Sequence, residues 1–263
     1  MITTLWYSLL SYNPSLPAYT KFVGLANYVN ILFSDSFWGA IWRSVYFTVL
    51  AVTLEVVCGL AVALLLNEEF NGRGLLRTLV IAPWALAPVV CGLMWRWILD
   101  AKWGALNGLL YQLGLISSYV VWLEYPFVVL NISIIIHVWE MSPLAIILLL
   151  AGLQSVPNDL YEAAKVDGAS SWRRFRHLTL PLLEPTLAIV VIIGSITAFQ
   201  VFDILYVLAF QNPGVRTVAF ETYFTAFRNL DFGSASALTY FMTAVLTVLA
   251  YLYTRRIYKG DTH

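Results

Sequence analysis

The chain has 263 residues, of which 60% are hydrophobic and 11% charged, with 15 basic and 15 acidic side chains. A soluble domain carries about 25% charged residues, so this composition excludes an ordinary soluble enzyme and marks an integral membrane protein. The zero formal net charge offers nucleic acid no general attraction.

In chain order, Met1 to Tyr12 is apolar and aromatic. At about 1.5 Å per residue it covers roughly 18 Å, short of a hydrocarbon core near 30 Å. It has neither a basic n-region nor a cleavage site. The stretch is expected to be the outer half of a truncated first helix, as if the start were misplaced. Asn13 to Gly39, with Pro14, Pro17 and Gly24, is expected to be a loop. Five full spans follow, at Ile41–Leu66, Leu75–Leu99, Pro126–Leu153, Thr186–Phe210 and Ser234–Tyr253. Runs this long and uniformly apolar must be helices, because lipid satisfies no free backbone group. The expected fold is a single all-α transmembrane domain, residues 1–263, with one large polar loop at 154–185.

Loop charge sets the orientation. One side collects Arg73, Arg77, Lys165, Arg173, Arg174, Arg176, Arg255, Arg256 and Lys259. The other holds Lys21, Lys102, Arg216 and Arg228, with Arg43 and Arg96 at helix ends. The richer side, carrying the 154–185 loop and the C-terminus, is expected to be cytoplasmic.

Within that loop, Asp159 reads as an N-cap with Glu162 three residues later, as in a capping box. The helix so begun, about Leu160–Val166, exposes the small Ala163 and Ala164. Asp167-Gly168 is a turn signal, with Gly168 suited to a left-handed helix terminus. A second helix near Ser170 would place Trp172, Phe175, Leu178 and Leu182 on one apolar stripe, ending where Pro181 and Pro185 interrupt hydrogen bonding. From these features alone, the loop is either an amphipathic segment resting on anionic lipid or a docking surface for a partner.

The order and spacing of Glu162, Ala163, Ala164, Asp167, Gly168, Leu178, Leu180 and Pro181 resembles the EAA motif of ABC importer permeases. The resemblance extends along the chain. GLANYVNIL at Gly24–Leu32, GALNGLL at Gly104–Leu110, VWL at Val121–Leu123, LLLAGLQSVPNDLYEAAKVDGAS at Leu148–Ser170 and FQVFDILYVL at Phe199–Leu208 are similar to carbohydrate-uptake permeases related to the maltose transporter's membrane subunits. The pattern is that of the first of the two sugar permeases. Two departures stand out: AFQNPG at Ala209–Gly214 replaces a Thr-Gly-Gly-Gly-Pro-like turn, and Arg43-Ser44 replaces the Asn-Thr frequent near the start of the second span. The resemblance implies a type I ABC importer transmembrane domain whose EAA loop contacts an ATPase. It also implies a second homologous permease, two ATP-binding subunits, an extracytoplasmic sugar-binding protein and a prokaryotic inner membrane. The sequence contains no G-x-x-x-x-G-K-[ST] run, so ATP and Mg would be handled on the partners, and no cofactor or catalytic residue is expected in this chain.

Ionisable residues inside spans are costly and are functional candidates. Glu55, His137 and Glu140 fall roughly 15–20 Å below the outer edge and Asp203 about 10 Å below it. His137 and Glu140 share a helix face, and His137 is expected to be a packed histidine. Phe199, Phe202, Asp203 and Tyr206 recur at spacings of three and four, beside Gln200. A carboxylate with aromatic neighbours suits a sugar, so Glu55, Glu140, Phe199, Gln200, Phe202, Asp203 and Tyr206 form the expected solute pathway. Asp203 could instead pair with a partner subunit, and Glu140, near Pro143, could satisfy a kinked backbone. Trp6, Trp38, Trp42, Trp95, Trp97, Trp103, Trp122, Tyr253 and Tyr258 are expected to form interfacial belts. Cys58 and Cys91, and the scattered His137, His177 and His263, have no ligand spacing, so no metal site is expected. An ion-coupled secondary carrier using Glu55, Glu140 and Asp203 is the main competing function. A membrane-embedded enzyme would need a polar catalytic cluster that the sequence lacks.

Overall fold

The computed structural model describes residues 2–260, apart from the side chains of residues 254 and 256–260. The expectations on Arg256, Tyr258, Lys259 and His263 lie outside what is described. The first helix, α1 (Ile2–Ser8), gives way at Leu10–Ser11 (β1) to a two-stranded antiparallel hairpin with Lys21–Phe22 (β2), in register Leu10↔Phe22. The stretch up to Gly39 is therefore not a plain loop. It also holds α2 (Ala26–Leu32) and the start of α3 (Asp35–Asn67). The buried Asn27 closes this segment by donating to the carbonyls of Ser8 and Leu10, at 2.8 and 2.9 Å.

The run expected to be one span at Leu75–Leu99 is broken. α4 (Arg73–Ile81) passes through a 3-10 turn at Ala82–Ala85 and bends by 102° into α5 (Pro88–Ile98). Two prolines cause this. Pro83 starts the 3-10 turn, and Pro88 pushes Ala87 into extended backbone at φ −70°, ψ 139°, where no helix can continue. The linker that follows holds α6 (Ala105–Gln112), and α7 (Pro126–Gln154) then crosses as a single helix despite the internal Pro143.

After α8 (Asn158–Val166), α9 (Ser171–Arg174), a π turn at Phe175–Thr179 and α10 (Leu180–Leu182), the chain re-enters the bundle as α11 (Glu184–Phe199). The span expected at Thr186–Phe210 is interrupted at residues 200–202 and resumes as α12 (Asp203–Ala209). The return connection carries α13 (Val218–Phe227), and α14 (Phe232–Gly260) completes the bundle. Among the described residues four helical stretches are long and apolar enough to cross a bilayer, α11 and α12 counting together as one, and the bent α4–α5 pair makes five. The fold class is the expected one.

Helices α3, α7 and α11 form the centre. Together with Leu205 of α12 and Leu183 just before α11 they make two cores, one around Phe47, Val129, Ile136 and Leu205, the other around Ala63, Leu149, Leu150 and Leu183 toward the α8 end. Five of the nine aromatics expected in belts, Trp6, Trp38, Trp42, Trp97 and Trp103, are exposed on the surface. Trp95 and Trp122 are not. Trp95 packs edge-on against Trp139 with ring centres 5.8 Å apart, and Trp122 donates to Asn107 at 3.0 Å, so both turn toward the core.

Candidate functional site

Two places concentrate the candidate residues. The first is the polar turn that leaves α7. Pro157, with extended backbone, is the N-cap of α8 and makes no side-chain capping bond. Asp159 therefore sits inside the first turn, where its charge favours the positive helix end, and the expected capping box does not form. Glu162 instead accepts from Lys165 at 2.7 Å, which holds its exposed carboxyl below the usual range. Gly168 has φ +75°, and the turn closes with Ala169 N–H donating to Ala164 O at 2.9 Å and Gly168 N–H to Lys165 O at 3.0 Å. This is the Schellman pattern, which needs a left-handed residue at Gly168.

The second half of the turn differs from a regular helix. Ser170 accepts from Arg173 N–H at 3.3 Å and starts α9, but the π turn at Phe175–Thr179 rotates everything after it. The face packed on the bundle consequently carries the buried Thr179 and Leu183, with Phe175 and Leu178 half-buried, while Trp172 and Leu182 point out. Tyr161 and Thr179 hydroxyls, 3.1 Å apart, tie α8 to the π turn. What remains on the outside is an unusual surface for a polar loop. Val166 is 88% exposed and Trp172 68%, with Leu160, Leu180 and Pro181 also accessible beside Glu162 and Ala163.

The second place is the interruption between α11 and α12. Phe202, at φ −141°, ψ −54°, leaves the helix. The Val201 carbonyl freed by the break accepts from Thr217 Oγ1 at 2.9 Å, so the buried backbone is satisfied. Thr217 is itself held in place by its neighbours: Val218 N–H donates to Ser44 Oγ at 2.8 Å, and Arg43 Nε donates to Arg216 O at 2.7 Å. The Arg43-Ser44 pair thus fastens the α13 connection to α3.

Below the break lies a cavity of about 90 Å³ that brings together Glu140, Gln200, Phe202 and Asp203 with Pro88, His137, Met141 and Thr197. Four of the seven expected pathway residues meet here. The other three do not. Phe199 is buried in the helix packing, because the break ends the spacing that would have aligned it with Phe202. Tyr206 belongs to an aromatic cluster with Phe202, Phe210, Phe220 and Tyr223, at ring-centre distances of 4.7 to 6.1 Å. Glu55 lies against His137, its Oε1 3.3 Å from Nε2 without a hydrogen bond of regular geometry, and both residues are buried. Sequence reading missed Pro88, Met141 and Thr197 as cavity residues, although the two prolines inside the second apolar run were a visible sign of a break there.

Gly194 on α11 is where Glu55 fits against the helix. A Cβ at this position would stand 2.7 Å from Glu55 Oε2. Gly194→Val should therefore destabilise the bundle by about 1–3 kcal/mol through overpacking, read as a lower thermal midpoint of the detergent-purified protein. An unchanged midpoint would show that Glu55 does not occupy this contact.

Comparison with known proteins supplies the context. The sequence pattern of the family described as binding-protein-dependent transport system inner membrane component matches residues 55–260. The chain is 40% identical over 249 residues to the trehalose/maltose transport system permease protein MalF of Thermococcus litoralis, covering 93% of this chain and 82% of that protein. It is 34% identical to the trehalose transport system permease protein SugA of Mycobacterium tuberculosis, covering 95% and 79%. In fold it is similar to a chain of a bacterial ABC transporter involved in import of the acidic polysaccharide alginate, with a TM-score of 0.85 at 22% identity over 100% of this chain and 90% of that one. A chain of the alginate transporter in complex with its pentasaccharide-bound periplasmic protein is similar at a TM-score of 0.81 and 24% identity, over 93% and 86%.

Proposed function

This chain belongs to the binding-protein-dependent transport system inner membrane component family, and from that premise we propose that it is one of two permease subunits of an ATP-driven sugar importer. Helices α3, α7, α11 and α12 line its half of the solute path. The partners in this reading are a second homologous permease, two ATP-binding subunits carrying ATP and Mg, and an extracytoplasmic sugar-binding protein. The α8 end faces the cytoplasm of a prokaryotic inner membrane, a reading supported by the Lys and Arg gathered on that side.

The observation that carries the proposal is the surface of the 154–185 turn. Here Val166 and Trp172 are exposed beside Glu162, on a turn held rigid by Gly168 and by the Tyr161–Thr179 contact. Such a surface suits an acceptor cleft on another protein. In this scheme closure of the ATPase pair pushes on α8, and the push reaches α7 and α11 because the turn is continuous with both. Relatives named as trehalose and maltose permeases support sugar as the solute class.

Expression with its partner subunits should yield a complex that co-isolates with the ATPase and takes up sugar only when ATP is supplied. Uptake by this chain alone, abolished by ionophores and indifferent to ATPase loss, would establish an ion-coupled carrier instead. Within the complex, Asp203→Ala should lower sugar uptake about tenfold while leaving assembly intact, because it removes a hydrogen-bond acceptor from the cavity. Unchanged uptake would remove Asp203 from the pathway.

A further inference from the structure

A second and larger space lies beside the α11–α12 break. Between α13 and the first turns of α14 runs a groove of about 390 Å³, and Phe202 lines both this groove and the cavity below the break. α11 rises from the α8 side to the break, so the groove sits at the opposite end of the bundle, where α14 begins. Sites for small molecules occupy about 300–1,000 Å³. The groove reaches that range, whereas the cavity, at about 90 Å³, does not.

The lining narrows the choice of occupant. Four rings, Phe202, Tyr223, Phe227 and Phe232, follow one another along it, with successive centres 4.6, 5.0 and 5.8 Å apart. Hydroxyls stand among them. Thr222 donates to Val218 O at 2.8 Å and Thr239 to Ala235 O at 2.9 Å, so each offers the groove an acceptor but no proton. Ser236 is 7% exposed, and its hydroxyl makes no hydrogen bond among the described residues. A buried hydroxyl without a partner is costly, and a ligand with hydroxyls of its own removes that cost. Among the described residues lining the groove there is no valine, leucine, isoleucine or charged group. The space between α3, α11 and α14 is the contrast, since Val45, Val49, Val57, Val191 and Leu249 wall it with the aliphatic surface that a hydrocarbon chain matches. A lipid chain in the α13–α14 groove would leave Ser236 unpaired. A sugar ring meets both parts of the lining. Its C–H face lies on the electron-rich faces of the rings, and its hydroxyls donate to the threonines and accept from Ser236.

Resting on the importer reading above, we propose that the α13–α14 groove is a sugar-binding subsite, in which an uncharged sugar ring is held against the aromatic run beside Phe202. It lies one step outside the cavity below the break, with Phe202 between the two.

The test is equilibrium binding of radiolabelled maltose and trehalose to the assembled permease–ATPase complex, purified in detergent without nucleotide or binding protein. The wild-type complex should bind at least one of the two saturably. Ser236→Ala removes one hydrogen bond and should weaken that binding about three- to tenfold while leaving the thermal midpoint unchanged. Ala219→Leu fills the groove from α13 and should weaken it about tenfold or more. Binding that both variants leave unchanged would overturn the subsite, and its loss in Gln200→Ala would then place the sugar in the cavity instead. Should Ala219→Leu prevent assembly, Ser236→Ala decides alone, and unchanged binding there would overturn the subsite in favour of a groove filled by a helix of the second permease. A wild-type complex that binds neither sugar, yet takes them up when ATP and binding protein are supplied, would also overturn the subsite and leave the importer reading standing. A fully supplied complex that takes up neither sugar would overturn the sugar reading itself.

Discussion

Gly168→Val should leave the protein inserted and its bundle intact, yet reduce solute-stimulated ATP hydrolysis by the assembled transporter to background, a loss of about a hundredfold or more. The glycine sits at φ +75° with open space around the missing Cβ, so the effect is conformational and not a clash with neighbours. A β-branched residue is a genuine outlier in the left-handed region, at a cost of about 1–2 kcal/mol. The turn can relieve that strain by opening the two hydrogen bonds that orient α8. Gly168→Asn, which tolerates the left-handed conformation, should keep most of the activity. Glu162→Lys tests the same surface by charge. The position is exposed, so stability should change by less than about 0.5 kcal/mol. Coupled hydrolysis should nevertheless be lost, since Lys165 and Arg174 already supply positive charge beside it. Normal coupled transport in both Gly168→Val and Glu162→Lys would remove the turn as the ATPase contact.

The second large effect concerns folding. His137→Leu leaves Glu55 buried in the α3–α7–α11 packing without the imidazole whose Nε2 lies 3.3 Å from its Oε1. Neither atom makes a hydrogen bond of regular geometry, so taking a polar neighbour from a desolvated carboxyl should cost about 1–3 kcal/mol, a large fraction of the stability of a marginal protein. Denaturant titration of the purified single variant should show this loss, or the variant should fail to accumulate in the membrane. The double variant Glu55→Leu with His137→Leu should recover to within about 1 kcal/mol of the original, because two apolar side chains replace a desolvated pair. A double variant as unstable as the single one would mean that the pair is not the cause, and that His137 acts through its edge-on packing against Phe47.

Much of this was readable from the residues. Long apolar runs located α3, α7 and the α11–α12 stretch to within a few residues, apart from the early start of α3, and located the start of α14 but not its end at Gly260, while the turn chemistry of Asp167-Gly168 anticipated the left-handed position at Gly168. The misreadings share a cause. Hydropathy sums residues without regard to direction, so it saw one span where Pro83 and Pro88 make an elbow. The break at residues 200–202 carries no proline or glycine at all. It persists because Thr217, sixteen positions away, satisfies the carbonyl that the helix gives up. Pairings between different helices were equally out of reach. Spacing along one helix placed His137 with Glu140, but it could not show that Glu55 would come within 3.3 Å of the first or that Asp203 would line the same cavity as the second. Arg43-Ser44 was noticed only as a departure from the family pattern, and its hydrogen bonds to the α13 connection explain what the departure does in this chain.

The elbow between α4 and α5 also bears on how the protein is made. At 1.5 Å per residue neither arm crosses a hydrocarbon core of about 30 Å, the nine residues of α4 rising about 14 Å and the eleven of α5 about 17 Å. The packing that supports the bend comes from α7 and α12, both of which emerge from the ribosome later. When Arg73–Ile98 first meets the bilayer, it has none of those neighbours. Its prolines already break the helix in the nascent chain, and the 102° between the two arms is held once translation has delivered the helices that pack on them.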